Sequence, residues 1–145
     1  MKSPDYLRVL LQVRFRAEEI EERRLIAINE RLRVAHAELA RLSAELERIT
    51  DTRIRSIQST SPNVYHQAVE AQSKALWRRD AEYRVEIEGL KKVQAQQMVA
   101  YLTAHREREV MESLRKQRCE ALERKGRLNE QKLNEELFLA RSVAK

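Results

Sequence analysis

Leu25, Ile28, Leu32, Ala35, Leu39, Leu42, Leu46 and Ile49 alternate at spacings of three and four residues. They fill the a and d positions of four heptads with apolar side chains. Such a stripe belongs to a helix that buries one face against another helix. Positions outside the stripe are rich in Glu and Arg, and pairs such as Glu19/Arg23 and Arg41/Glu45 lie one helical turn apart. Upstream, Leu10, Val13, Ala17 and Ile20 keep the same rhythm one residue out of phase. That offset predicts a local adjustment of winding at Arg24, where the two seams would join. Ser3-Pro4-Asp5 reads as a helix start, with Ser3 as cap, Pro4 at the first helical position and Asp5 facing the positive helix end. Nothing then interrupts a helix until about residue 57.

The break comes at Ser59-Thr60-Ser61-Pro62, a small polar cluster followed by one of two prolines. It predicts a turn over about 58–63 and a second helix over about 64–142. The second ladder is less regular. Leu76, Tyr83, Ile87 and Leu90 fit a/d positions, then Gln94, Gln97, Met98, Tyr101 and Leu102 mix polar with apolar. Farther on, Leu114, Ala121 and Leu128 recur every seven residues. Gly89 and Gly126 have no proline or Asn beside them and read as interior helix residues. Neither helix can bury its stripe alone, and a short turn favours the adjacent partner. The expected fold is all-α: one coiled-coil domain over 1–145, folded as a long two-helix antiparallel hairpin with a longer, overhanging second helix. The rival arrangement is a break inside a parallel homodimer. In the hairpin, residues 4–57 pair with roughly 64–117, and the last ~25 residues project as a single helix. Leu128, Leu133, Leu137 and Phe138 on that overhang call for a partner.

Composition narrows the classes. Charged residues make up 36%, aromatics 5%, and there are two glycines and two prolines. Sheet-rich folds need far more Gly and Pro for their corners, and a thick core needs more large apolar residues. No uninterrupted apolar stretch resembles a signal peptide or approaches the ~20 residues of a membrane span. The lone Cys119 excludes an internal disulfide and fits a reducing compartment. The expected location is cytoplasmic. No catalytic constellation stands out: His36, His66 and His105 are far apart, and none has Cys or carboxylate at metal-ligand spacing. Two glycines cannot build a phosphate loop, and a two-helix rod offers no concave, dry site. The expectation is a non-enzyme with no cofactor.

Charge then acquires a place. The net charge is +6. Lys2, Arg8, Arg14 and Arg16 face Asp5 alone within residues 1–17. Arg115, Lys116, Arg118, Arg124, Lys125 and Arg127 face Glu120 and Glu123 within 115–127. An antiparallel hairpin brings these distant segments to one end, with a smaller basic run (Arg53, Arg55, Arg78, Arg79) at the other. The plain reading is a solvated face; the sharper one is a terminal end that docks on something acidic. Nucleic acid fits poorly, because glutamates interrupt the basic residues and no aromatic platform for bases is present. Membrane binding fits poorly too, because Leu114 and Ala121 supply little apolar area opposite the basic stretch.

The opening "YLRVLLQVRFRAEEIEERRL" resembles the start of the FliJ flagellar export proteins and their injectisome relatives, the YscO-like proteins. "VYHQAVEAQSKALW" is similar to the start of that family's second helix, with Tyr65, Gln67, Lys74, Ala75 and Leu76 at its spacings. "HREREVMESLRKQRCEALERKGRLNEQKLNEELFLAR" resembles its C-terminal pattern, with Leu133-Asn134-Glu135-Glu136 as the acidic-apolar signature and Asn134 where the family often has Asp. The resemblance implies a coiled-coil stalk, similar to the gamma subunit of rotary ATP synthases. Such a stalk sits in the pore of a hexameric export ATPase, promotes its assembly and couples it to the membrane export gate. It also implies binding of export chaperones and a cytoplasmic protein peripherally associated with the inner-membrane export apparatus. On this resemblance the basic end (Arg8, Arg14, Arg16, Arg115, Lys116, Arg118, Arg124, Lys125 and Arg127) becomes the ATPase-binding surface. The gate-binding face would be Ala68, Gln72, Ala75 and Arg79, or neighbouring Tyr65, Val69 and Leu76, with Trp77 exposed or buried beside Leu76. The alternative is a generic structural coiled-coil adaptor or homodimer, and a third reading is basic nucleic-acid binding.

Overall fold

The computed structural model describes residues 4–58 and 63–144, with side chains described over 5–55 and 67–144. Ser3 of the expected cap, residues 59–62 of the expected turn, Lys2 and the side chain of Tyr65 lie outside these ranges. Two helices account for the structure: α1, Pro4–Gln58, and α2, Asn63–Val143. No strand occurs among the described residues. α1 has 55 residues and α2 has 81. Pro4 stands at the first position of α1, where its missing N–H has no helical partner to lose. Asp5 lies in that first turn, while Arg55 and Arg141 lie in the last turns of α1 and α2, each sign opposing the local helix dipole.

The chain divides into two compact units: residues 22–100, and residues 1–21 together with 101–145. In the 22–100 unit the two helices pair antiparallel. Arg53 of α1 meets Glu70 of α2 at 3.2 Å, and Gln94 donates to Asn29 at 2.7 Å. Late residues of α1 therefore face early residues of α2, which replaces the parallel-homodimer alternative with pairing inside one chain. Leu42, Leu46 and Leu76 form one buried cluster with Ile49 and Tyr83 packed on it. Leu32, Ala35 and Ile87 form a second, covered by Ile28, Leu39 and Leu90. Asp80 is also buried and receives a 2.8 Å hydrogen bond from Arg84. Arg41 bridges Glu45 at 3.2 Å and Glu38 at 2.9 Å along the outer face.

In the terminal unit α1 departs from the sequence expectation. Val13 and Ile20 are exposed, while Leu11 is buried and Leu7, Arg14, Glu18 and Glu21 are half-buried. Leu7, Leu11, Arg14, Glu18, Glu21 and Leu25 keep the alternating three-and-four spacing without interruption. The expected phase change at Arg24 does not occur. The seam simply turns polar at Arg14, Glu18 and Glu21 instead of moving to the apolar stripe beside it.

α2 keeps a matching ladder. Val69, Leu76, Asp80, Ile87 and Ala104 are buried, with Ser73, Tyr83, Leu90, Gln94, Gln97, Tyr101, Arg108 and Met111 half-buried at the intervening steps. Met98 and Leu102 lie outside it, and Leu114, Ala121 and Leu128 are exposed. Beyond Cys119 every described residue up to 144 is exposed, so α2 continues there as a lone helix. A Cβ added at Gly89 or Gly126 would meet nothing within 4 Å. Gly89→Ala is therefore expected to raise stability by about 0.5–1 kcal/mol, through lower helix-forming entropy. A lowered thermal midpoint for that variant would contradict the expectation.

Candidate functional site

The terminal unit holds a cross-helix polar layer built on Glu18. Its carboxylate accepts from Arg108 Nε at 2.6 Å and lies 3.0 Å from His105 Nδ1. The Arg108 guanidinium also donates to Glu112 at 2.7 Å, one turn farther along α2. Its central carbon stands 5.0 Å from the centre of the Phe15 ring, a cation–π distance. His105 Nε2 lies 3.0 Å from Glu109, and the imidazole stacks on Tyr101 at 6.0 Å between centroids. Arg14 bridges Glu107 at 2.7 Å. The Glu18 and Arg108 side chains are only 12% and 16% exposed, so their charges are largely withdrawn from water. The hydrogen bond from Arg108 is the chief reason that the Glu18 carboxyl is held below its ordinary pKa, against an opposing effect of burial. The same bond pushes the Arg108 guanidinium up.

Of these residues, sequence reasoning names only Arg14 as a site residue, for its charge and not for a place in the seam. The available signal was the phase of the central ladder, which passes through Arg14 and Glu18 when continued upstream from Leu25.

The basic residues fall into place around the layer. Arg8 and Arg16 of α1 are exposed, and Arg14 is half-buried in its ion pair. On α2, Arg115 is half-buried, while Lys116, Arg118, Arg124, Lys125 and Arg127 are exposed. The two basic segments, about a hundred residues apart in sequence, both belong to the terminal unit. Arg124, Lys125 and Arg127 stand on the lone helix, followed by exposed Leu128, Leu133, Leu137, Phe138 and Leu139. A shallow hollow on this helix is lined by Arg127, Glu130, Asn134, Glu135, Phe138 and Leu139. Charged groups beside unpaired apolar ones suit recognition of another protein.

In the 22–100 unit, Ala68, Gln72, Ala75 and Arg79 are exposed along one side of α2. Val69 and Leu76 are seam residues and buried. Trp77 is 59% exposed and borders a groove with Glu47, Asp51, Asp80 and Arg84. Among the described residues no group of His, Cys, Asp and Glu is arranged to hold a metal ion. No helix there is long and apolar enough to cross a membrane.

The family model of the flagellar FliJ protein matches residues 3–145. No curated protein and no solved structure matches the chain.

Proposed function

Because the chain belongs to the FliJ family, whose members are structural components of the flagellar export apparatus, we propose that it is the coupling stalk of that apparatus. In this reading the terminal unit enters the pore of a hexameric export ATPase, promotes assembly of the ring and raises its activity. The outward face of early α2, at Ala68, Gln72, Ala75 and Arg79, meets the cytoplasmic domain of the export gate. Export chaperones are further partners, and the protein works at the cytoplasmic face of the inner membrane without entering it.

The observation that carries the reading is the lone stretch of α2 beyond Cys119, exposed throughout, with Arg124, Lys125 and Arg127 clustered just after Glu120 and Glu123. A stalk that fits a narrow pore needs such an end: thin, helical, charged, and free of a second helix. The Arg124, Lys125 and Arg127 cluster steers the start of this stretch toward acidic groups of the pore lining, and the apolar residues that follow supply contact area once it is inside.

Adding the chain to the cognate ATPase is expected to raise the hydrolysis rate. Arg124→Glu, Lys125→Glu and Arg127→Glu together should remove most of that gain. All three positions are exposed, so helicity should stay at the wild-type level. Stimulation that survives the triple reversal would exclude the basic end as the docking element. Charge reversal at Arg79 should leave the ATPase effect intact and weaken binding to the isolated gate domain, which separates the two contacts.

A further inference from the structure

The helix pair of the terminal unit has two unlike sides. One is closed by Phe15, Arg108 and Glu112. The other carries an apolar stripe of α1 beside the intrachain seam, Leu10, Val13, Ala17 and Ile20, of which Leu10 and Ala17 are half-buried at the edge of the seam and Val13 and Ile20 are left to solvent. Val13 is 56% and Ile20 is 50% exposed. The Arg14–Glu107 bridge identifies the α2 residues on this side. Glu107, Val110 and Leu114 share one face of α2, three and four residues apart, and the last two are exposed. Two apolar rows thus flank an ion pair and form a groove of the kind that a third helix fills.

We propose that this groove takes the lone C-terminal helix of a second copy of the chain, so that two copies join head to head with exchanged overhangs. Three observations select that occupant. First, Leu133, Leu137 and Ala140 on the lone helix stand four and three residues apart, the period of the groove itself, and all are exposed. Second, the charges complement each other. Residues 5–17 of α1 carry Arg8, Arg14 and Arg16 against Asp5, whereas the overhang, residues 128–143, carries Glu130, Glu135 and Glu136 against Lys132 and Arg141. Third, the lengths agree. The α1 row from Leu10 to Ile20 spans about 16 Å and the helix from Leu128 to Val143 about 24 Å, so the overhang covers the row with a turn or more to spare.

Reciprocity follows from the fold. Groove and overhang belong to the same unit, so a two-fold axis between two such units fills both grooves at once and closes the assembly. In that arrangement each overhang runs parallel to its host α1 and antiparallel to its host α2. The dimer covers the same lone helix that the ATPase would engage. Self-association and ATPase binding therefore compete for the same helix. Self-association does not depend on the stalk reading and is measured without the ATPase.

The test is sedimentation of the full chain over a range of concentrations, at low and high salt. The mass should rise from 17.2 kDa toward twice that value as concentration increases, and the rise should be weaker at high salt. The pair Val13→Glu and Ile20→Glu should weaken association by about a hundredfold, because it places carboxylates in an apolar contact. Leu133→Glu with Leu137→Glu should do the same. All four positions are exposed in the monomer, and circular dichroism should show unchanged helicity. A chain that remains monomeric throughout would overturn the proposal. So would a dimer that only one of the two variant pairs dissociates, since that result would assign the groove or the overhang a different occupant.

Discussion

Replacing Leu42 with Ala is expected to lower the unfolding free energy by about 2–5 kcal/mol. Leu42 is 1% exposed, the most deeply buried large side chain among the described residues. It packs with Leu46 and Leu76, under Ile49 and Tyr83. A two-helix seam has only one layer of knobs, with solvent on both flanks, so neighbouring side chains have little material with which to fill a void. Urea unfolding followed by helical circular dichroism should show a lower midpoint at nearly unchanged slope. The matched control is Val85→Ala. Val85 is exposed on α2 in the same unit, and the substitution should cost nothing or stabilise slightly, because Ala is the better helix former. Equal losses for the two variants would mean that the Leu42 cluster is not the main hydrophobic anchor.

Glu18→Gln is expected to lower the thermal midpoint by several degrees at neutral pH and to lose that effect in acid. At neutral pH the Glu18 carboxylate accepts from Arg108 and faces His105, while Arg14–Glu107, Glu109 and Glu112 complete the charged surroundings. A neutral amide keeps the shape, removes the charge and leaves the half-buried guanidinium with Glu112 alone. The sign of the pH dependence follows from the lowered pKa. The folded chain holds Glu18 ionised more strongly than the unfolded chain, whose ordinary value is 4.5. The contribution is therefore complete above that value and disappears as pH falls through the lower, folded value. The difference between wild type and variant should shrink as pH falls below that ordinary value. A difference that stays constant into strong acid would show that the ion pair is not its source.

The contrast between the two positions explains how far the sequence could be read. Two long helices, the second longer, follow from apolar periodicity broken once in a chain nearly free of Gly and Pro. The stripe from Leu25 to Ile49 is found buried or half-buried at each position, because apolar residues there have no use other than the seam. Upstream the same logic chose wrongly. Leu10, Val13, Ala17 and Ile20 are apolar and correctly spaced, yet Val13 and Ile20 face outward. The seam runs through Arg14 and Glu18 because Glu107, Arg108 and His105 stand across from them. A charged residue becomes a good seam residue only when its counter-charge is fixed opposite, and that partner lies about ninety residues away in sequence. The basic segments were visible as composition, but their membership of one unit required the antiparallel register. On early α2 the ladder marks Leu76 as a seam residue, and the same ladder continued one heptad upstream reaches Val69; both turn inward, while Ala68, Gln72 and Ala75 turn outward.

The polar layer has one more consequence. A heptad ladder repeats itself, so a helix sliding seven residues past its neighbour meets leucines again, and apolar contacts alone discriminate weakly between such alignments. Glu18 opposes the slide, because a shift of seven residues sets it against Glu112 and Arg115 in one direction and against Met98 and Tyr101 in the other, in place of His105 and Arg108. A one-heptad slip would also lengthen or shorten the projecting helix by about 10 Å. The layer therefore acts as a vernier stop. By fixing which residues meet in the terminal unit, it sets how far the chain can reach beyond its own N-terminus.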